Sequence, residues 1–153
     1  MTKHEIDLMH IERHEIGPRF SEMTIVPIGE SRLVYISGQV AENTSLDIGG
    51  QTREVLGFID RLLTHVGARR EHIVQARVYL ASVGDYAQMN AVWDDWVVPG
   101  HTPSRSTIGA KLINSAYKVE IEITAAFTPG HGHGHSHALD DGCVKEHPHD
   151  QAR

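Results

Sequence analysis

The feature that most constrains the fold is the alternation of apolar and polar residues that begins the predicted strand at residues 118–128. Apolar side chains at Val119, Ile121 and Ile123 alternate there with carboxylates and a threonine. Successive side chains of a β-strand point to opposite faces of a sheet, so this pattern predicts a strand with one buried and one open face. The chain must therefore supply a layer that covers the buried face.

A second stretch, residues 73–80, alternates in the same way. The pattern places Val74, Ala76, Val78 and Leu80 on the buried face of another strand. Gly38 interrupts a further strand candidate, and a glycine within a strand often marks a bulge or a close approach to the backbone. The further strand candidates are residues 10–16, 23–28, 33–40 and 104–110.

Two other segments have helical spacing. Residues 50–66 place apolar side chains three and four positions apart and end before Gly67, a typical residue for a C-terminal cap. A second helix is predicted after Ser82, which we interpret as its N-cap, and before Pro99. Its apolar stripe consists of Tyr86, Met89, Trp93 and Trp96.

The order of these elements predicts the fold class. Two helices among six strand candidates fit an α+β two-layer sandwich, in which both helices cover one face of a mixed β-sheet. The other face would carry Arg77 and Tyr79, and no helix remains to cover it. Because arginine and tyrosine are enriched at interfaces, we expect this face to pack on another subunit.

The composition of the chain disfavours several classes of function. We expect one globular domain at residues 1–128, large enough to bury a core without disulfides, and Cys143 is the only cysteine. The net charge of −6 disfavours nucleic-acid binding. No apolar run approaches the roughly 20 residues of a membrane helix, and the N-terminus has no signal-peptide pattern. A cytoplasmic protein that acts on a small molecule is the resulting expectation.

Residues 129–153 have a different composition, dominated by Pro, Gly, His and Asp, which predicts a disordered tail. Alternating glycine and histidine can act as a flexible ligand for nickel, copper or zinc. The spacing matches no closed zinc site, so the alternative is a dispensable tail that binds divalent metals adventitiously. The predicted metal ligands are His131, His133, His135 and His137.

Two groups of charged side chains in the globular part are candidates for a functional site. Arg105 begins a predicted strand; it is either a surface arginine in a salt bridge or a guanidinium fork for a carboxylate, which lysine cannot imitate. Glu120 and Glu122 alternate along the last strand. Such carboxylates usually face solvent, but in a cleft between subunits one of them could act as a general base.

Several motifs then occur together in one order. They are Tyr35-Ile36-Ser37-Gly38-Gln39-Val40, Val78-Tyr79-Leu80, Met89-Asn90 with Trp93, Pro103-Ser104-Arg105-Ser106-Thr107 and Val119-Glu120-Ile121-Glu122. Together they resemble the RidA/YjgF family of reactive-intermediate (imine/enamine) deaminases over roughly residues 16 to 127.

The resemblance implies a chorismate-mutase-like fold in a homotrimer, with clefts between neighbouring subunits. It implies hydrolysis of 2-imino acids to 2-oxo acids and ammonia without a metal or cofactor. Arg105 would hold the substrate carboxylate and Glu120 would position the attacking water. Ser37 and Gly38 would line the pocket through their backbone. Thr107 would contribute backbone contacts beside Arg105, and Asn90 would support the cleft.

The chain also departs from the family pattern. Arg19 and Phe20 follow Ile16-Gly17-Pro18 where a pocket tyrosine is usual, and Thr107 replaces a common cysteine. Arg19 would add a second positive charge at the pocket, and a divergent subgroup shares this pattern. An alternative function is therefore non-catalytic binding of a small carboxylate by a regulatory protein.

Overall fold

The computed structural model describes residues 10–130. Each predicted strand and helix is confirmed. The ends differ by at most about two residues from the expected ones, except that the second helix begins at Tyr86 and not directly after Ser82. The elements are β1 Glu12–Ile16, β2 Ser21–Ile28, β3 Ser31–Val40, α1 Ile48–Val66, β4 Ile73–Leu80, α2 Tyr86–Trp96, β5 Ser104–Gly109 and β6 Val119–Phe127.

The strands form one mixed sheet in the order β1-β2-β3-β6-β4-β5. All neighbours are antiparallel except β4 and β5, which are parallel, and α2 is the crossover between them. The last strand in sequence, β6, thus lies in the middle of the sheet between β3 and β4. The strands β1 and β5 are its edges, each paired on one side only within the described residues.

Both helices cover the same face of the sheet, which confirms the predicted α+β two-layer architecture. The core is formed where Val55 and Ile59 of α1 meet the alternate residues of the central strands, such as Val34 and Ile121, all with no exposed surface. The opposite face of the sheet has half-buried and exposed side chains along its whole width. It stays uncovered by any described element of the chain.

Local interactions fix the helices in this arrangement. Asp47 caps α1 by accepting a hydrogen bond from the Gly50 amide at 2.8 Å, and Gly67 ends it in the left-handed conformation at φ 83°. Asp60 of α1 accepts two hydrogen bonds of 2.8 Å from Arg70 and is also bound by the Trp96 indole N–H of α2. The hydrogen bond from Trp96 links the two helices, and the bidentate pair with Arg70 fixes the Asp60 carboxylate that accepts it.

A buried glutamine determines where β6 begins. The Gln51 side chain is fully buried, and its Nε2 donates to the carbonyls of Thr44, Leu46 and Ala116. Its Oε1 accepts a hydrogen bond of 2.9 Å from the Lys118 amide, the residue before β6. All the hydrogen-bonding groups of the amide are therefore used to attach α1 to the loops around it.

Two expectations about individual side chains are wrong. Val74 is 47% exposed, whereas Ile73 is 4% exposed, because the register between β4 and β6 shifts between Ile73 and Gln75. Ser82 makes no side-chain cap; a short 3-10 turn at Val83–Asp85 separates it from α2. Simple alternation and simple capping both fail where the backbone inserts an irregular residue or turn.

The predicted tail falls almost entirely outside the described residues. Only Pro129 and Gly130 of the segment 129–153 belong to the described part, so the predicted metal ligands His131, His133, His135 and His137 remain predictions. Within residues 10–130, neither helix combines the length and the hydropathy that crossing a membrane requires.

Candidate functional site

Arg105 lies on the edge strand β5 and on the side of the sheet that the helices cover. It is paired with Ala76, and Thr107 is paired with Val78; both partners on β4 are fully buried. Residues two apart on a strand share a face, so Arg105 and Thr107 point to the same side, towards α2. A charged side chain thus borders the apolar layer between sheet and helix.

Two aromatic rings of α2 hold the guanidinium. Arg105 Cζ lies 5.1 Å from the ring centroid of Trp93 and 5.9 Å from that of Tyr86. Its Nη2 also donates a hydrogen bond of 3.4 Å to the Tyr86 hydroxyl. Among residues 10–130 no carboxylate forms an ion pair with Arg105. Cation–π contacts fix the side chain and leave its charge unneutralised.

Three buried polar atoms in this region have no hydrogen-bond partner among the described residues. They are Arg105 Nη1, Asn90 Oδ1 and Thr107 Oγ1. A buried polar atom without a partner is destabilising by about 1–3 kcal/mol and is rare in native proteins. We call Tyr86, Asn90, Trp93, Arg105 and Thr107 the arginine cluster; its unused donors and acceptor are those of a site prepared for a polar ligand.

The charge of the arginine also acts on its aromatic neighbour. The pKa of the Tyr86 phenol is lowered, first by hydrogen bonding with the Asn90 side chain and next by the positive charge of Arg105. Both effects stabilise negative charge at this place. The arginine cluster therefore favours anions over neutral or cationic groups.

The sequence interpretation missed two members of this cluster. Tyr86 and Trp93 were assigned to the buried stripe of α2, but Tyr86 is 48% exposed. The available signal was the spacing of Tyr86, Asn90 and Trp93, four and three residues apart, which places all three on one helix face. Two aromatic residues on the same face as a polar amide are typical of a lined cleft as well as of a core.

The second group of predicted residues surrounds Glu120 on β6. Glu120 pairs with Val40 on one side and with Tyr79 on the other. Its side chain lies directly over Gly38, where a Cβ atom would come within 2.8 Å of Glu120 Cδ. The register of β3 shifts between Ile36 and Gln39, so the predicted bulge at Gly38 is confirmed. Glycine is required there because the carboxylate occupies the space.

The bulge is held by its own polar contacts. Glu22 of β2 accepts hydrogen bonds from Ser37 Oγ at 3.2 Å and from Gln39 Nε2 at 2.8 Å. Ser37 also lines a cavity of about 210 Å³ on the open face of the sheet, together with Ser21. Arg19 is exposed in the turn that leads into Ser21. We call Ser37, Gly38, Glu120 and Glu122 the acid cluster.

Glu120 and its neighbour differ in their surroundings. Glu122 accepts hydrogen bonds from the Tyr79 hydroxyl at 2.7 Å and from Arg77 Nη1 at 3.2 Å. Glu120 has no hydrogen bond or ion pair among the described residues. Burial raises the pKa of Glu120, and the negative charge of Glu122 raises it further. Glu120 is thus a free carboxylate with a raised pKa.

The structure brings the predicted residues together in two groups, not one. Arg105 pairs with Ala76, which points into the core, whereas Glu120 pairs with Tyr79, three residues further along β4. An odd separation along a strand reverses the face, so the arginine cluster and the acid cluster lie on opposite faces of one sheet. A single chain cannot bring Arg105 and Glu120 to the same small ligand.

Solved structures of similar proteins have this architecture. A structure from Pseudomonas aeruginosa described as an uncharacterized protein has a TM-score of 0.71 and 44% identity, covering 76% of this chain and 98% of its own. A member of the YjgF protein family from Neisseria meningitidis has a TM-score of 0.72 and 41% identity, covering 76% and 94%.

The family follows from the sequence of the same region. Residues 17–127 match the family described as Endoribonuclease L-PSP, and the chain belongs to this family. A RutC family protein from Haemophilus ducreyi is 42% identical over 116 residues, which are 76% of this chain and 96% of that protein. The resemblance expected from the motifs is confirmed.

Proposed function

We propose that this protein hydrolyses small 2-imino acids to 2-oxo acids and ammonia. The observation that carries the proposal is the buried Arg105 Nη1, which has no hydrogen-bond partner among residues 10–130, beside Asn90 Oδ1 and Thr107 Oγ1, which have none either. A ligand carboxylate can accept from two guanidinium N–H groups at once, in a geometry that matches the planar fork. Each of these charge-assisted hydrogen bonds contributes about 1.5–3 kcal/mol.

The complete site is proposed to lie between two copies of the chain in a homotrimer. The arginine cluster of one subunit would face the acid cluster of its neighbour, with Ser37 and Gly38 forming the far wall. Three facts support this arrangement: the two clusters lie on opposite faces of the sheet, the open face has no covering element among residues 10–130, and the family resemblance implies trimers. Cyclic symmetry would then repeat the same contact three times.

The reaction follows from what each cluster offers. Glu120 accepts a hydrogen bond from a water and takes its proton as the water oxygen forms a bond to the imine carbon. The raised pKa of Glu120 suits a base that must work near neutral pH. For a protonated imine this gives a tetrahedral intermediate with one hydroxyl and one amino group, and Glu120 then returns the proton to the nitrogen. The C–N bond breaks, ammonia leaves, and the C=O bond forms as the hydroxyl proton passes to Glu120.

Little catalytic power is needed for such a substrate. A protonated imine carbon is already electrophilic, so holding the carboxylate and orienting one water supplies most of the acceleration by proximity. The mechanism uses only these side chains and water, and it requires no cofactor. Arg19, exposed in the turn before β2, is proposed to add positive charge near the acid cluster and to favour substrates with a second anionic group.

Cleavage of RNA, to which the family description refers, is a weaker candidate for this chain. The net charge of −6 repels a phosphate backbone. Glu120 and Glu122 stand on the open face of the sheet, and the cationic Arg77 there is already paired with Glu122 at 3.2 Å. Arg105, which forms no ion pair among residues 10–130, lies against Tyr86 and Trp93 of α2 and offers a single guanidinium, which suits one small anion better than a polyanion.

The test is the Arg105→Ala variant, assayed with an amino-acid oxidase that generates the imine in situ. We expect kcat/KM to fall roughly 100-fold or more, because about two charge-assisted hydrogen bonds are lost. Arg105→Lys should recover little of the activity, since an ammonium cannot reproduce the fork. Arg61→Ala is the matched control, because Arg61 also stacks on an aromatic ring, Phe58, at 5.4 Å but belongs to neither cluster.

Two results would contradict the proposal. One is near-normal activity of a folded Arg105→Ala protein. The other is an unaltered protein that binds a 2-oxo acid through Arg105 but does not accelerate imine hydrolysis, which would support the non-catalytic binding function instead.

A further inference from the structure

Asn90 offers the arginine cluster a hydrogen-bonding atom of the opposite kind to that of Arg105. Arg105 Nη1 is a donor and Asn90 Oδ1 is an acceptor; both are buried, and neither has a hydrogen-bond partner among residues 10–130. The two atoms are complementary, yet they do not pair with each other. A molecule that satisfies both must therefore bring an acceptor to the guanidinium and a donor to the amide.

The hydroxyl of Tyr86 determines which way the Asn90 amide faces. Hydrogen bonding with the Asn90 side chain lowers the pKa of this phenol, so the phenol oxygen is the acceptor in that bond. Only the Nδ2 end of the amide can donate to it. Oδ1 is therefore the end that remains for a ligand, in agreement with its lack of a partner among the described residues.

Tyr86 also connects this amide to the guanidinium. Arg105 Nη2 donates to the same phenol oxygen at 3.4 Å, and Arg105 Cζ lies 5.9 Å from the centroid of the ring. Asn90 follows Tyr86 by four residues on α2, so the two side chains share one face of the helix. The unused donor and the unused acceptor thus belong to two groups that share one hydroxyl, close enough for one small ligand to reach both.

These two atoms distinguish the proposed substrate from its product. A 2-imino acid has a carboxylate, which accepts from Arg105, and beside it a nitrogen with at least one N–H, which can donate to Asn90. The 2-oxo acid has the same carboxylate, but a carbonyl oxygen stands in place of the N–H. Two acceptors would then face each other and Asn90 Oδ1 would stay unsatisfied, which costs affinity.

The third buried atom without a partner among residues 10–130 does not affect this selection. Thr107 Oγ1 belongs to a hydroxyl, which can donate or accept by rotating about its bond, so it accommodates either acid. Arg105 binds the carboxylate that both acids have in common. Of the three residues, Asn90 is therefore the one whose free atom separates the two acids.

We propose that Asn90 is the specificity-determining residue of the arginine cluster and selects acids that carry an N–H group next to the carboxylate. The identity of the natural ligand as a 2-imino acid rests on the proposed function, but the selection is a property of binding and does not require turnover. The partial negative charge of Asn90 Oδ1 also favours the protonated, electrophilic form of the imine. The same contact promotes release of the 2-oxo acid, because the product cannot make it.

Two stable planar acids differ in this one group and serve as probes. Pyrrole-2-carboxylate has a ring N–H next to its carboxylate, and 2-furoate has a ring oxygen in the same place. We expect the full-length protein to bind pyrrole-2-carboxylate roughly 10-fold to 100-fold more tightly in titration calorimetry, because 2-furoate leaves a buried acceptor unsatisfied. Asn90→Leu should bind the two acids with nearly equal affinity, mainly by losing affinity for the pyrrole. Gln88→Leu changes an exposed amide of α2 outside the cluster and should keep the preference.

Several results would overturn the inference. The unaltered protein could bind both acids equally or fail to bind pyrrole-2-carboxylate, and neither result depends on a variant. A preference that persists in Asn90→Leu would also contradict it. So would an equal loss of both acids in a folded Asn90→Leu protein, since that would show a structural role only. Arg105→Ala, by contrast, should weaken both acids to a similar extent.

The imine-hydrolysis assay separates this inference from the proposed function. Turnover by a protein that shows no preference for the pyrrole would leave the proposed function standing and would overturn selection by Asn90. A preference that depends on Asn90, in a protein without turnover, would support the selection and contradict the proposed enzyme.

Discussion

The arginine cluster and the acid cluster are built in different ways, although strands of the same sheet carry residues of both. Aromatic rings surround Arg105 and fix its side chain, but its Nη1 has no hydrogen-bond partner among residues 10–130. The positive charge of Arg105 is therefore held in place without being neutralised. Around Glu120 it uses polar residues, and a glycine makes room for the carboxylate. In the proposed function, the arginine cluster binds the substrate anion next to helix α2, and the acid cluster supplies a carboxylate base on the open face of the sheet.

The difference indicates why neither cluster suffices alone. A receptor without a base would only bind, and a base without a receptor would have no substrate to act upon. Because the two lie on opposite faces of the same sheet, the proposed reaction needs a second copy of the chain. On this view catalysis would depend on assembly.

The largest effect is expected from removing the base. Glu120→Gln keeps the size of the side chain but cannot accept a proton, so kcat should fall roughly 10²-fold to 10⁴-fold while the KM for the imine changes little. Single-turnover and steady-state assays would separate the two parameters. Glu122→Gln is the matched control, because Glu122 is engaged by Tyr79 and Arg77 and should be nearly dispensable for turnover. Equal losses in the two variants would remove the distinction between the carboxylates.

The next prediction joins the two clusters. Arg105→Ala and Glu120→Gln proteins should each be almost inactive, but co-refolded at equal amounts they should recover about a quarter of wild-type activity. In randomly mixed cyclic trimers, each trimer that contains both variants has one cleft in which an intact arginine cluster faces an intact acid cluster. Such clefts make up about a quarter of all clefts. No recovery after demonstrated subunit exchange would contradict a site shared between chains.

Light scattering should also give three times the 17.0 kDa chain mass, and a monomer at micromolar concentration would contradict the shared site as well.

The smallest expected effect concerns pH. Glu120 acts as a base only when ionised, so activity should be lost as pH falls through its raised pKa. The charge of Glu122 contributes to that increase, after burial. Glu122→Gln should therefore lower the pKa of Glu120 and move the acidic limb of the kcat/KM profile to lower pH. A limb that moves to higher pH, or one that persists unchanged in Glu120→Gln, would show that another group titrates.

Much of the fold could be predicted because its signals are local. Period-two alternation identified β6, and helical spacing that ends at Gly67 identified α1 to within two residues. Val74 was predicted incorrectly, since a bulge changes which residues share a face and depends on the partner strand. The position of β6 between β3 and β4 depends on pairing between distant segments, which no local pattern specifies.

The candidate site was only partly predictable for the same reason. Motifs identified Arg105, Asn90 and Glu120 by their residue types and order. Their division between two faces follows from the pairing of β4 with β5 on one side and with β6 on the other. Tyr86 was assigned to the core because helical spacing alone cannot distinguish a ring that packs inside from one that lines a cleft.

The position of β5 at the edge of the sheet has a consequence for motion. An edge strand has hydrogen bonds to one neighbour only, so the strand that carries Arg105 is expected to open more easily than the central strand β6, which carries Glu120. Local opening of β5 would disrupt the arginine cluster without unfolding the domain. A bound acid that bridges Arg105 to a neighbouring chain would suppress this opening, and the substrate would thus stiffen the strand that holds it.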